Sequence, residues 1–408
     1  MVVQGIARVP GAVAGGEPGL TALHARVAGR FARPEVRARA RRYLDGLLGR
    51  VERKNGWQLA ETLGEAGPQG VQRLLNAATW DAEGVRDDLR AYVVEHLGDA
   101  ASGVLIVDET SFVKKGKKSC GVGTQYAGAV GGTANAQVGV FLAYASAKGT
   151  AFVDRALYLP RAWTHDPARR ADAGVPDGVR FATKLTLAKR LLARAFAAGV
   201  PARWVAGDAA YGRSHAFRRW LEERGRAYAL SVPWTHAVHR DGRRQTAAKW
   251  AAALPAAAWV TRSPCTPVPA AAWRLRSAGA GVQGERIDAW ACLPLEEATA
   301  PGWRRWLLVR RWAVAPDELA FYVAFGPADT PEAALVQVCG MRWQVEEGFA
   351  QAKGEVGLDQ YEVRTWTAWH RFVTLALLAH AYLAVTRLAA SRDEAAQKGG
   401  ARIPACSR

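Results

Sequence analysis

Three acidic residues stand where a folded chain could bring carboxylates together. Asp108 follows the apolar run 104–107, Asp208 follows a second apolar stretch near 203–206, and Glu346 lies in a helical segment much further along. A carboxylate at the end of a buried strand is costly unless something pairs with it. Mg²⁺ prefers a few carboxylates with water and phosphate oxygens, and two such ions assist phosphodiester displacement. The three acids predict a two-metal site. The alternative for each Asp alone is a simple turn cap.

The segment 342–353 carries two basic residues around the third acid. On a helix, Arg342, Glu346 and Lys353 fall at i, i+4 and i+11, and so share one face with Phe349. A cation on either side of a metal-binding Glu can hold phosphates beside the bond that is cut. The alternative is an exposed ion pair between Arg342 and Glu346, worth about 0.2–0.5 kcal/mol.

This arrangement sets a geometric expectation for the acids and their neighbours. The carboxyl groups of Asp108, Asp208 and Glu346 should lie within roughly 4–8 Å of one another, close enough to share two ions. Glu109 and Glu347 adjoin two of them in the sequence. We expect both to point elsewhere, because neighbouring residues face opposite sides of a strand and diverge by about 100° on a helix.

The composition points to a polyanionic partner. The chain has 408 residues, which favours two or three domains, and half of its residues are hydrophobic. Lys and Arg number 55 and Asp and Glu 37, a formal net charge of +18. Neutralising phosphates with such cations releases counterions, so nucleic acid is the favoured partner. A GC-rich genome would explain a preference for Arg over Lys but not the net charge.

The cysteines and histidines argue against several other classes. Five cysteines without a CxxC pair favour a reducing cytosol and disfavour a disulfide framework or zinc site. His215, His236 and His239 have no acidic or Cys partner at ligand spacing. The N-terminus lacks the pattern of a signal peptide. The apolar stretch 373–385, interrupted by His380, reads as a buried helix, so no membrane is expected as a partner.

Hydrophobic patterning predicts an α/β layer with a mixed sheet in the middle of the chain. The predicted strands are 104–107, 121–126, 137–144, 151–157, 203–206 and 227–232, and the predicted helices are 181–198 and 215–223. Strands followed by alternating helix and strand are typical of such a layer. Half of the sixteen tryptophans then fall within 233–326, a segment with short alternating stretches that we interpret as a β-rich insertion. Helices resume at 331.

The N-terminal region has helical periodicity and a possible helix-turn-helix. Helices are predicted at 58–63 and 69–76 around a turn that contains glycine and proline. The second helix could turn a polar face towards DNA, with Gln69, Gln72, Arg73 and Asn76 on it. An ordinary helical hairpin with a polar outer face is equally compatible with the pattern.

A basic cluster follows Asp108 closely. It consists of Lys114, Lys115, Lys117 and Lys118. One interpretation is contact with a DNA backbone, and the other is a solvated hairpin.

The spacing of Arg342, Glu346 and Lys353 resembles the Tyr-Arg-Glu-Lys signature of bacterial insertion-sequence transposases of the DDE superfamily. Further segments resemble one branch of that family: 53–57, 107–110, 114–116, 137–141, 157–160 and 207–212. The resemblance covers roughly residues 30–390. One departure is Cys339, which stands where the signature has its tyrosine, so the role of that phenol is not carried over.

The resemblance implies a ribonuclease-H-like catalytic core with a mixed sheet, a helical N-terminal domain and a β-rich insertion before the last acid. It implies Asp108, Asp208 and Glu346 as the catalytic and metal-binding triad for two Mg²⁺ or Mn²⁺ ions. Arg342 and Lys353 would hold phosphates of the transposon end. The expected partner is double-stranded DNA, as inverted-repeat ends and target DNA, bound by a homodimer in the bacterial cytoplasm at the nucleoid.

The expected organisation has five parts: a helical, DNA-binding domain at 1–100, the first part of the core at 101–232, the insertion at 233–326, the last core helices at 327–390 and a polar tail at 391–408. The favoured function is cut-and-paste transposition. A catalytically inactive DNA-binding regulator derived from such an enzyme is the alternative, which the unusual polar tail keeps open. A plain nuclease that cannot join strands is a third, weaker interpretation.

Overall fold

The N-terminal part of the chain is helical, as its periodicity predicts. The computed structural model describes residues 18–254, 273–281, 284–296, 300–312, 315 and 317–400. The first helices are α1 (Pro18–Val27), α2 (Pro34–Leu48), α3 (Gly56–Thr62), α4 (Gln69–Asn76) and α5 (Ala82–Leu97). Side chains cap two of them: Asn55 accepts hydrogen bonds at the start of α3, and Asp81 does so at the start of α5. The pair α3–α4 confirms the two predicted helices and the turn between them.

The sheet that carries the first two acids begins with six strands, five of which form its core. The strands of this region are β1 (Val104–Val113), β2 (Gly123–Ala127), β3 (Gly132–Ser146), β4 (Gly149–Tyr158), β5 (Trp204–Gly207) and β6 (Ala227–Val232). Strand β1 pairs antiparallel with β3 and parallel with β5, β4 pairs antiparallel with β3, and β6 is parallel to β5. The order β4–β3–β1–β5–β6 is that of a ribonuclease-H-like core, which confirms the expected fold. Strand β2 pairs antiparallel with the first residues of β3, on the side of β3 that is opposite to β1.

Helices cover this sheet and complete the crossovers between its parallel strands. They are α6 (Arg161–Thr164), α7 (Pro167–Asp172), α8 (Lys184–Ala197), α9 (Ala209–Gly212) and α10 (His215–Glu222). Helix α8 buries the apolar face predicted for it, including Leu191 and Leu192, and contacts β3 and β4. The first four residues of β1 are fully buried, as expected for a strand covered on both faces.

The tryptophan-rich segment is β-rich, and most of it extends the core sheet. Its elements are β7 (Ala237–Arg240), β8 (Arg243–Thr246), α11 (Ala247–Ala252), β9 (Trp273–Gly281), β10 (Gly284–Pro294), β11 (Trp303–Arg311) and β12 (Leu319–Pro327). Strand β12 pairs antiparallel with β6, and β11, β10 and β9 follow in order. The hairpin β7–β8 forms a separate two-stranded sheet. Trp259, one of the tryptophans in this segment, lies outside the described residues.

The last helices pack on the sheet and against the N-terminal helices. They are α12 (Glu332–Met341), α13 (Trp343–Val356) and α14 (Trp366–Gly400). Helix α13 ends at Gly357, whose φ of 67° is in the left-handed region that favours glycine. Within α14, 366–394 is long and apolar enough to cross a membrane, but 67% of its most apolar window is buried in the protein. The stretch 373–385 is therefore part of a core helix, as predicted, although the helix itself is longer.

His380 in the buried part of α14 predicts a measurable pH dependence of stability. Its side chain is fully buried, and neither ring nitrogen has a hydrogen-bond partner within the described part of the chain. Burial lowers the pKa of His380 to about 3, with a smaller contribution from the cation of Arg387. Below pH ~6.5 the unfolded chain therefore takes up a proton that the native chain refuses, and stability falls with pH down to about 3.

We expect His380→Leu to remove this contribution. Between pH 6.5 and 5.5 the free energy of unfolding of the variant should fall by about 1 kcal/mol less than that of the unmutated protein. Urea unfolding of both proteins at the two pH values measures the difference, and carboxylate titrations common to both cancel. Equal losses would contradict a buried neutral His380.

Candidate active site

The two aspartates are side by side at the point where the parallel pairing of β1 and β5 ends. In the parallel pair β1–β5, Val107 is in register with Gly207. Asp108 follows Val107 and Asp208 follows Gly207 in the sequence, so the two aspartates are neighbours. Asp208 also caps α9, since its Oδ1 accepts a hydrogen bond of 2.8 Å from the backbone N–H of Ala210. The strand-end prediction is therefore confirmed for Asp208, which also caps a turn, but is wrong for Asp108, because β1 continues through Asp108 to Val113 in its pairing with β3.

Burial and neighbouring negative charges raise the pKa values of both aspartates. Burial, and then the charge of Asp208, raises the pKa of Asp108 to about 7. Burial, and then the charge of Glu109, raises the pKa of Asp208. The cation of Arg342 acts in the opposite direction on both carboxyls. Adjacent carboxylates in this state are relieved by a bound cation, and their hard oxygen donors suit Mg²⁺.

Glu346 is joined to the aspartate pair through Arg342. Arg342 stands at the junction of α12 and α13, and its Nη2 donates a 2.8 Å hydrogen bond to Oε1 of Glu346. The side chain of Glu346 is 43% exposed, whereas that of Arg342 is 14% exposed. The ion pair considered as the alternative is thus present. Within the described residues no three acids, histidines or cysteines are close enough to hold a metal, so convergence of the triad stays a prediction.

Lys353 reaches the strand that carries Asp108. Its Nζ donates a 2.9 Å hydrogen bond to Oγ1 of Thr110, which is two residues beyond Asp108 and on the same face of β1. Burial lowers the pKa of Lys353, and the charge of Asp359 opposes this. The structure therefore brings Lys353 and Arg342 to the same face as Asp108, and the phosphate-binding role of both stays a prediction.

Glu109 corrects an expectation, because it does not point away from the site. Its Oε2 accepts a 2.6 Å hydrogen bond from the Tyr211 hydroxyl, and its Oε1 accepts one of 2.8 Å from Lys184. Strand alternation does place Glu109 opposite Asp108, but the turn after Asp208 brings Tyr211 to that opposite face. The sequence analysis missed Lys184 and Tyr211 because no local pattern pairs them with β1. Glu347, by contrast, lines a separate surface cavity of about 400 Å³.

A glycine fixes the position of the turn that carries Asp208. A Cβ at Gly212 would lie 1.8 Å from the carbonyl oxygen of Ser231 in β6. Helix α9 can therefore pack directly on β6 only with glycine at this point. This close approach requires glycine at position 212, and it holds the turn that carries Asp208 against the sheet.

The lysines after Asp108 differ in their surroundings. Lys114 donates a 3.0 Å hydrogen bond to the carbonyl of Tyr361 and lies 3.5 Å from the centre of its ring. Burial lowers the pKa of Lys114 to about 8. Lys115, Lys117 and Lys118 are exposed in the connection between β1 and β2. Lys114 thus has a structural role, and DNA contact by Lys114 and Lys115 stays a prediction.

The helix α4 presents the polar face that the sequence predicts. Gln72 and Arg73 are exposed, as are Gln69 and Asn76, while the opposite face of α4 is buried. This amphipathic arrangement is what a recognition helix requires, and an ordinary hairpin requires it equally. The DNA-binding role of Gln72 and Arg73 stays a prediction.

Comparisons with known family models show the family of this chain. The sequence matches the family model of the DDE superfamily endonucleases over residues 26–273 and that of the transposase DDE domain over residues 181–382. A probable transposase for insertion sequence element IS701 of Microchaete diplosiphon is 26% identical over 335 residues, which are 81% of this chain and 78% of the relative. The synaptic complex of piggyBac transposase with hairpin DNA superposes with a TM-score of 0.41 and 11% identity, covering 93% of this chain and 75% of the other. The chain belongs to the DDE superfamily of endonucleases.

Proposed function

We propose that this protein is an insertion-sequence transposase that performs cut-and-paste transposition by metal-dependent phosphodiester hydrolysis and strand transfer. The observation that carries the proposal is the pair Asp108 and Asp208 where the parallel pairing of β1 and β5 ends, under the charge of Arg342, which itself pairs with Glu346. The family match over residues 26–273 supports the same function.

The donor set fits divalent ions. Asp108 and Asp208 are neighbouring carboxyls whose raised pKa values reflect burial and like charge, and Glu346 is proposed to leave Arg342 and join them. We propose that these three residues hold two Mg²⁺ or Mn²⁺ ions. When bound, such ions stabilise charge on the attacking and leaving oxygens of the phosphodiester.

Basic residues of the chain would place the DNA. Arg342 is shared between Glu346 and the aspartate pair, so a DNA phosphate can take over its guanidinium and release the Glu346 carboxylate. Lys353, on the helix that carries Glu346, presents its ammonium group to Thr110, two residues beyond Asp108 on β1. Together they would hold the phosphates on either side of the scissile bond while a 3′ hydroxyl, freed by hydrolysis, attacks target DNA in line.

More distant surfaces would bind the rest of the element. Gln72 and Arg73 on α4 are proposed to contact the inverted-repeat end, and Lys115, with Lys114, to contact its backbone. The net charge of +18 supports a double-stranded DNA partner. A homodimer would then bring two ends and the target together, in the cytoplasm and at the nucleoid.

Cleavage of a linear duplex that carries the end of the element tests the proposal. We expect strand cleavage with Mg²⁺ or Mn²⁺, none with excess chelator, and joining of the cut end to a supercoiled plasmid. Binding without cleavage with either metal would instead support the inactive regulator, which the Arg342–Glu346 ion pair keeps as a second candidate. Cleavage without joining would indicate a plain nuclease.

A further inference from the structure

A buried hydrogen-bonded cluster connects the two strands that carry the aspartates. Tyr211 is 1% exposed, and its hydroxyl donates to Glu109 at 2.6 Å. The second oxygen of Glu109 accepts from Lys184 at the start of α8, at 2.8 Å. Glu109 thus ties α8 and α9 to β1, one residue beyond Asp108.

The same tyrosine also contacts Asp208 directly. The backbone N–H of Tyr211 donates to Oδ1 of Asp208 at 3.4 Å, while its ring packs behind Gly207 and against Phe217. A short chain of contacts therefore runs from Asp208 through Tyr211 to Glu109 and so to the residue next to Asp108. Any rotation of α9 on the sheet would stretch the Tyr211–Glu109 hydrogen bond.

The placement of Glu109 is not explained by stability alone. Its carboxylate adds a third negative charge close to Asp108 and Asp208 and raises the pKa of the latter. A neutral side chain could accept from Tyr211 without that repulsion. Groups that orient metal ligands from behind are hydrogen-bonded in this way, and their loss weakens metal binding even though they do not touch the ion.

We propose that Glu109 and Tyr211 are positioning residues that fix the Asp208 carboxyl relative to Asp108, with Lys184 neutralising Glu109. This inference rests on the proposed function in so far as the aspartates bind metal. It assigns a role to residues that belong neither to the triad Asp108, Asp208 and Glu346 nor to the segment 342–353.

The chain offers a closely matched control for this cluster. Tyr228 is also fully buried, and its hydroxyl also donates to a glutamate, Glu222, at 2.6 Å. Glu222 in turn pairs with a cation, Arg305. Within the described residues Tyr228 and Glu222 form no hydrogen bond or ion pair with either aspartate, so Tyr228→Phe removes the same kind of hydrogen bond from the same sheet without touching the proposed support of Asp208.

The test is calorimetric titration of Mn²⁺ alone into the full-length protein, without DNA. We expect Tyr211→Phe to weaken Mn²⁺ binding roughly tenfold and Tyr228→Phe to leave it unchanged. Glu109→Gln, which keeps an acceptor for Tyr211, should lose less affinity than Glu109→Ala. Thermal unfolding should show similar losses for the two tyrosine variants.

Three results would overturn the inference. They are equal Mn²⁺ affinities for Tyr211→Phe and Tyr228→Phe, no rescue by Glu109→Gln relative to Glu109→Ala, or no measurable Mn²⁺ binding by the unmutated protein. A failure of this inference is distinguishable from a failure of the proposed function. A protein that binds Mn²⁺ with the expected pattern but never cuts DNA retains the positioning role and loses the transposase activity.

Discussion

Asp108→Asn should reduce cleavage of the element's end by roughly 10³-fold or more and leave binding of that end nearly unchanged. Asp108 lies beside Asp208 where the parallel pairing of β1 and β5 ends, and the amide removes a charge on which a metal ion in this pair would depend. The phosphate contacts are proposed to come instead from cations such as Arg342 and Lys353. Asp208→Asn should behave in the same way.

Cleavage of the duplex with Mn²⁺ and binding by mobility shift measure the two effects separately. Glu347→Gln is a suitable control, because Glu347 adjoins Glu346 in the sequence but lines a different cavity. It should keep near-normal cleavage. An Asp108→Asn protein that cuts at the unmutated rate would remove Asp108 from the catalytic assignment, whereas loss of DNA binding with normal thermal unfolding would give it a different role.

The sequence predicted most accurately the features that depend on local periodicity. The bounds of α4 and β6 agree with the predicted ranges 69–76 and 227–232, because amphipathic spacing and flanking turn residues determine them. Asp108 and Asp208 could be chosen because buried apolar runs end just before them, although β1 itself continues beyond Asp108 to Val113. That the two strands are parallel neighbours depends on pairing between distant segments, and the family resemblance rather than local pattern supplied it.

The surroundings of Glu109 show what local pattern cannot supply. Its orientation on β1 was predicted correctly, yet its partners Tyr211 and Lys184 are 102 and 75 residues away. Only the folded chain brings Tyr211 and Lys184 to the face of the sheet on which Glu109 lies. Likewise, alternation predicted strands in the tryptophan-rich segment, but their attachment to the edge at β6 is a long-range pairing.

Arg342→Ala should have opposite effects on metal binding and on catalysis. In the DNA-free protein Arg342 pairs with Glu346 and its charge favours ionised Asp108 and Asp208, so it supplies positive charge that a divalent ion would otherwise supply. Removing one positive charge near the ions should strengthen Mn²⁺ binding on the order of tenfold. Cleavage should nevertheless fall roughly 10²-fold, because a phosphate contact that forms on the reaction path is lost.

Lys353→Ala distinguishes the two roles of a cation in the site, which are competition with a metal ion and contact with a DNA phosphate. Lys353 donates to Thr110 and is in no ion pair within the described residues, so its loss frees no acidic ligand. We expect Lys353→Ala to lower cleavage and DNA-end binding with little gain in Mn²⁺ affinity, and both variants to unfold at near-normal temperature. Mn²⁺ titration without DNA, set against single-turnover cleavage, compares them. If Arg342→Ala binds Mn²⁺ more weakly than the unmutated protein, then Arg342 supports the metal site rather than competing with it, and release of Glu346 by DNA phosphate is wrong.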